Sequence, residues 1–182
     1  MANTYRFGPH IIPASQIFFR SKYSLGLVNL KPILPGHVLV ISRRSVPRFL
    51  DLNADEVSDM FQSAQRIGKV IEKEYNSTSL TIACQDGPHA GQSVPHVHVH
   101  IIPRRLGDFG NNDDIYDEIA RNTKEYLTKD SDSVDIVGIG AALAAPPEKK
   151  GVDFDERKPR SEQDMAQEAT RLAELLDQHQ LS

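Results

Sequence analysis

94-VPHVHVHIIPR-104 carries three histidines at every second position among valines and isoleucines. The chain has 182 residues and seven histidines, so three of the seven fall within five residues. Strict alternation is the period of a β-strand, which sends successive side chains to opposite faces. His96, His98 and His100 are therefore predicted to project together as a polar row over one face, while Val97, Val99 and Ile101 pack into the core. Sheet stability accounts for one polar histidine, but gives no reason for three imidazoles in line. Metal ligation is one explanation, since imidazole is a zinc and copper ligand and alternate strand histidines can chelate. A structural site normally takes four ligands, however, and no Cys, Asp or Glu lies in this strand.

Catalysis fits the surroundings better. A neutral imidazole whose second nitrogen is held by an acceptor is a competent nucleophile toward phosphorus. Neighbouring imidazoles resist being charged together, so at least one stays neutral near pH 7. A cationic neighbour would stabilise phosphate oxygens and assist a leaving group. The preceding loop, 85-QDGPHAGQS-93, supplies Gly87 and Gly91, whose small size lets backbone N–H groups approach an anion. Gln92 and Ser93 add side-chain donors. Arg104 and Arg105, just past the strand, read as ordinary solvated charges.

Upstream, 17-IFFRSK-22 and 24-SLGLVNL-30 read as strands, and 32-PILPG-36 supplies turn chemistry before 37-HVLVIS-42. His37 then stands at a strand entrance. Asn53 and Glu56 form a capping-box-like start to a helix. Val57, Met60, Phe61, Ala64, Ile67 and Ile71 continue it as one apolar stripe to about residue 75. A strand follows at 79-SLTIAC-84, in which Cys84 reads as buried. Residues 113–126 look helical and mostly polar. From 128 to 159 periodicity fails, which predicts a disordered insertion. A helix returns over 161–179, with Ser161 and Asp164 as a cap pair and Met165, Ala169, Leu172 and Leu176 as its stripe.

The length suits one domain with a substantial core. A net charge of −4 without a long basic patch argues against a protein built to grip nucleic acid. One cysteine excludes an intrachain disulfide framework. No apolar run of membrane-spanning length occurs, so a soluble protein of the cytoplasm or nucleus is expected.

The stretch HVHVHII resembles the signature of the histidine triad family of nucleotide hydrolases and transferases. Four segments resemble its fragile histidine triad branch, the bis(5′-adenosyl)-triphosphatases: 6-RFG-8, 25-LGLVNLKPILPGHVLV-40, 85-QDGPHAGQSVPHVHVHIIPR-104 and 107-GDFGNNDDIY-116. The similarity covers about residues 5–127 and resumes at 160-RSEQDMAQEA-169. The resemblance implies an α+β fold: an antiparallel sheet with a long helix packed on it, in a homodimer whose sheets join across the interface. Residues 1–127 would be the catalytic domain, and 160–182 a C-terminal helix beyond the insertion.

The resemblance also implies roles. His98 would attack the α-phosphorus of diadenosine triphosphate and carry AMP covalently. His96 and His100 would orient it and contact phosphate oxygens, and His37 would be a fourth active-site histidine. Asn29 would bind ribose hydroxyls. His10, Gln85, Gly91, Gln92, Ser93 and Val94 would contact the rest of the substrate. Mg2+ or Mn2+ would accompany the polyphosphate, with no metal cage in the protein. His89 departs from the branch, where an acidic residue is expected. Tyr116 matches a tyrosine tied to signalling there and equally suits helix packing. Adenylyl sulfate and other adenylylated leaving groups are expected substrates as well. The rivals are a nucleotide-bound signalling module with slow turnover and an AMP-amine phosphoramidase of the same superfamily.

Overall fold

The computed structural model describes residues 4–129 and 159–179. The chain enters through a hairpin of β1 (Thr4–Phe7) and β2 (His10–Pro13). Five strands then form one sheet: β3 (Ile17–Arg20), β4 (Ser24–Val28), β5 (Val38–Ser42), β6 (Ser79–Ala83) and β7 (His98–Arg104). Their order is β3-β4-β5-β7-β6, and every pairing is antiparallel. The histidine strand is therefore internal, flanked by β5 and β6.

Between β5 and β6 lies α1 (Ala54–Glu74). It starts on a complete capping box, in which Asn53 accepts from the Glu56 backbone and the Glu56 side chain accepts from the Asn53 backbone. Such a cap is worth about 1 kcal/mol. Met60, Ala64, Ile67 and Ile71 are buried against Val38, Val40, Val99 and Ile101 of the sheet. Each large side chain so covered contributes about 1.5–3 kcal/mol. Phe61, expected in the stripe, is instead exposed beside Phe49. It lies at the margin of the apolar arc, where a 3.6-residue repeat drifts off the core.

The C-terminal helix α3 (Glu162–Gln178) begins on Ser161, whose side chain accepts from the Asp164 backbone. Met165, Ala169, Leu172 and Leu176 join the same core as α1. The opposite face of the sheet is covered by the β1–β2 hairpin, through Phe7 with Tyr5 and Ile12 against Leu25, Leu27, Leu39 and Ile41. Helix α2 (Asp114–Lys129) packs Ile115 and Ile119 on Ile102.

The histidine face is covered by the hairpin. Three expectations need correction. Cys84 is exposed, one residue past the end of β6, where the strand pattern has already stopped. Arg104 is only 7 % exposed. It makes a bidentate pair with Asp108 (2.7 and 3.0 Å) and bonds to Thr81 and Asn112, so it holds the turn after β7 instead of facing solvent. His96 precedes the strand, as described below. The predicted insertion at 128–159 lies outside the described residues except for its two ends, and Tyr116 is exposed on α2.

Candidate active site

β7 pairs His98 with Ile41 and His100 with Leu39 of β5, and this places both imidazoles on the hairpin-covered face. His96 lies before the ladder begins. Its Nε2–H donates to the Ser42 carbonyl at 2.7 Å, and its Nδ1 accepts from the Gly8 N–H at 3.1 Å. Both ring nitrogens are thus taken by backbone groups, and the ring ties the N-terminal hairpin to the end of β5. Alternation indicated neither its burial nor this bolting role, because the partners are backbone atoms distant in sequence.

His98 donates Nδ1–H to the His96 carbonyl at 2.8 Å. The network thereby assigns its tautomer and leaves the Nε2 lone pair as the acceptor. Phe7 meets this ring edge-on, with centroids 5.2 Å apart. His37 sits at the entrance of β5 and is fully buried. Its Nδ1 accepts from the Ile33 N–H at 3.1 Å, so its Nε2–H donates to His100 Nδ1 at 2.9 Å. His100 in turn must carry its proton on Nε2, a buried atom with no partner among the described residues. An unsatisfied buried donor is costly unless a ligand takes it up. A nucleophilic nitrogen and a free donor therefore stand on adjacent rings, 5.0 Å between centroids.

Burial holds all three imidazoles of the row below the ordinary value, His100 furthest because His98 and His37 also oppose its charging. The row is neutral near pH 7. Among the described residues, no group of three His, Cys, Asp or Glu side chains is placed to hold a metal ion. His37 and His100 share a proton with each other instead of converging on a cation.

A cavity of about 430 Å³ lies on the hairpin side of the sheet. None of these four histidines lines it, but it shares Phe7 with His96 and His98, Asn29 with His37, and Leu39, the register partner of His100. Phe7, Ile12, Leu27 and Leu39 form its apolar wall, while Asn29 and His10 bring polar groups. The size and the mix of many apolar with few polar groups suit a small organic ligand. Asn29 is oriented by the Lys31 N–H donating to its Oδ1 at 3.0 Å, and its amide nitrogen lies against the His37 ring. Pro159, Arg160, Glu162 and Met165 complete the cavity from the approach to α3. Of these, only Met165 was singled out from sequence, as part of the C-terminal helix stripe; Phe7, Ile12, Leu27 and Leu39 were not assigned to a site. Leu27 and Leu39 lie in segments read as strands, but Phe7 and Ile12 belong to four-residue strands too short to show alternation.

The loop residues occupy the turn between β6 and β7. Gly91 has φ +89°, and a Cβ there would meet the Gln85 side chain at 2.5 Å, so only glycine lets Gln85 lie across the turn. The Gln92 side chain is engaged within the loop: it accepts from the Gly87 N–H at 2.8 Å and donates to the Pro47 carbonyl at 2.7 Å. It also lies 3.4 Å from the His96 carbonyl that holds His98. Ser93 is partly exposed, and Val94 is packed in the Phe7 cluster.

The buried histidine row, its covering hairpin and the adjoining cavity define a histidine triad protein. The HIT domain matches residues 12–107, and the chain belongs to that family. Among its relatives, the bifunctional bis(5′-adenosyl)-triphosphatase/adenylylsulfatase FHIT of Arabidopsis thaliana is 44% identical over 176 residues, covering 96% of this chain and 86% of the relative. The asymmetrical bis(5′-nucleosyl)-tetraphosphatase of Schizosaccharomyces pombe is 46% identical over 162 residues, 85% of each chain. The crystal structure of Plasmodium falciparum diadenosine triphosphate hydrolase in complex with cyclomarin A superimposes with a TM-score of 0.57 at 35% identity, covering 71% of this chain and 88% of that one. No helix among the described residues is long and apolar enough to cross a membrane.

Proposed function

We propose that this protein is a dinucleoside polyphosphate hydrolase that cleaves diadenosine triphosphate to AMP and ADP through a covalent His98–AMP intermediate. The observation that carries the reading is the pairing of an acceptor Nε2 on His98 with an Nε2–H on His100 that has no partner among the described residues, on rings separated from the cavity by its own lining residues Phe7 and Leu39. Adenosine occupies the cavity, with its base against Phe7, Ile12, Leu27 and Leu39 and its ribose at Asn29. His98 Nε2 attacks the α-phosphorus. The new P–N bond forms as the bond to the bridging oxygen breaks, and that oxygen leaves with the electron pair as part of ADP. His100 donates to a non-bridging oxygen as charge develops there. Water then attacks the same phosphorus, the P–N electrons return to Nε2, and AMP departs.

His96 contributes its carbonyl and not its ring, since both of its nitrogens are occupied. That leaves the contact with phosphate oxygens to His100. A divalent cation, Mg2+ or Mn2+, arrives complexed to the substrate's phosphates. The chemistry at phosphorus is indifferent to what the leaving oxygen was attached to, so adenylyl sulfate fits the same site, in keeping with the name of the Arabidopsis relative. A homodimer joined through the sheet is supported by the unpaired edge of β6, where Ile82 is exposed.

The test is hydrolysis of diadenosine triphosphate by the wild type and by His98→Asn. Turnover should disappear while binding of a non-hydrolysable analogue persists, and acid-labile, base-stable labelling of His98 should be trapped in the wild type alone. A His98→Asn protein turning over near the wild-type rate would overturn the assignment.

A further inference from the structure

The cavity is closed on one side by a segment far from the triad in sequence, and the structure shows what holds that segment in place. The Arg160 N–H donates to the Leu30 carbonyl at 3.0 Å, next to Asn29. Its guanidinium folds back over the first turn of α3, bonding the Asp164 carbonyl at 3.2 Å and Glu168 Oε2 at 2.5 Å. The other Glu168 oxygen accepts from the Tyr75 hydroxyl at 2.6 Å. Tyr75 is the C-cap of α1, fixed by its own N–H to the Ile71 carbonyl. Its ring lies flat against Gly36, where a Cβ would sit 2.5 Å from ring carbon, and Gly36 has φ +86°. The next residue is His37. One carboxylate, 12 % exposed, thus receives a phenol from α1 and a guanidinium from the cavity wall. Charge-assisted bonds of this kind are the stronger class.

We propose that Tyr75, Glu168 and Arg160 form a positioning relay that clamps residues 159–165 onto the Leu30–Asn29 corner, and so sets affinity for the nucleoside without taking part in phosphorus chemistry. The inference rests on the cavity being the nucleoside site. Tyr75 and Glu168 are absent from the cavity lining and lie outside the histidine row, so their influence must travel through Arg160. Burial and the adjacent Glu168 carboxylate push the Tyr75 phenol well above its ordinary value, so it remains a donor throughout the physiological range. Releasing the phenol leaves Arg160 to choose between Glu168 and solvent, and the wall loses its fixed distance from Leu30.

The experiment compares Tyr75→Phe and Glu168→Gln with wild type, reading KM and kcat for diadenosine triphosphate and the Kd for AMP. Tyr75→Phe keeps the ring on Gly36 and removes only the hydroxyl. KM and Kd should rise roughly tenfold, the worth of one charge-assisted hydrogen bond, with kcat within twofold. Glu168→Gln keeps one acceptor oxygen in place of two and loses the charge that holds Arg160, so its KM and Kd should rise at least as far as in Tyr75→Phe. Leu27→Trp, which fills the cavity, and Asn29→Ala serve as controls. If these controls bind AMP as wild type does, the nucleoside reading fails and the relay with it. If they lose AMP while Tyr75→Phe binds normally, or if Tyr75→Phe loses kcat and KM stays fixed, the relay alone is overturned. A lowered melting temperature with unchanged KM also overturns it, since a purely structural bond would give that result.

Discussion

Replacing His37 with leucine removes two hydrogen bonds at once, and their geometry sets the size of the effect. The Ile33 N–H loses its acceptor at 3.1 Å, and His100 Nδ1 loses its donor at 2.9 Å. Each buried polar group left without a partner costs about 1–3 kcal/mol. His37→Leu should therefore lower the unfolding free energy by about 2–6 kcal/mol in urea titration. The catalytic consequence is separate. His37 is what forces the His100 proton onto Nε2, and without it the proton is free to settle on Nδ1, where it cannot reach the substrate. Loss of that donor should reduce kcat about 10–100-fold, or roughly 1.4–2.8 kcal/mol of barrier. KM should stay nearly constant, because Leu27, Leu39 and Asn29 still line the cavity and Asn29 keeps its bond from Lys31. His37→Gln restores a donor toward His100 and should recover part of the rate. Steady-state kinetics with diadenosine triphosphate, on protein shown to be folded by circular dichroism, gives the answer. A folded His37→Leu protein with kcat within twofold of wild type would refute the claim that His37 sets the His100 tautomer.

Arg104→Met leaves the Asp108 carboxylate, 13 % exposed, without its bidentate partner, so urea unfolding should show a loss of about 3 kcal/mol; a loss below 0.5 kcal/mol would mean the turn does not depend on this pair. Asn53→Ala removes half of the capping box and should cost about 1 kcal/mol with kcat unchanged, as read by thermal denaturation and turnover together. Acid should destabilise the protein in two stages. The folded imidazoles of His96, His98 and His100 lie below their unfolded value, so the unfolded state binds protons more tightly. That stability is complete above about pH 6.5 and falls as the pH drops below it. Glu56, pulled down to about 2 chiefly by Arg44 and also by the Asn53 N–H, adds a second loss between about pH 4.5 and 2. Equal urea midpoints at pH 7 and pH 5 would contradict the neutral triad.

Helix α1 was legible because three signals agreed: Asn53 and Glu56 at cap spacing, an apolar stripe, and a length sufficient to display the period. Helix α3 was legible from Ser161 and the Met165–Leu176 stripe for the same reason. The β1–β2 hairpin was not, since four-residue strands with mixed burial carry too few positions to show alternation. Its consequence was equally hidden: Phe7 touches both His96 and His98, across about ninety residues of chain. Arg104 illustrates a different limit. A strand-end arginine looks the same in sequence whether solvent or Asp108 receives it, and only the return of residues 108–112 over β7 decides. Gln92 likewise has the donors expected of a substrate contact, yet loop closure engages them in the protein.

The motif by itself supplies three imidazoles on consecutive odd positions; their chemical state comes from what covers them. An exposed row would titrate near the ordinary imidazole value and exchange tautomers freely in water. Here the hairpin buries the row, and backbone groups assign each proton: the Ser42 carbonyl to His96, the His96 carbonyl to His98, and the Ile33 N–H, through His37, to His100. Every assigning atom lies outside β7 itself. The middle imidazole accepts at Nε2 because the His96 carbonyl takes its Nδ1 proton, and the last one is a donor because the 33–37 turn before β5 fixes His37. Substituting the x residues of the motif with other aliphatics should consequently disturb activity less than disturbing the 33–37 turn, where Gly36 permits the backbone angle and Tyr75 packs against it.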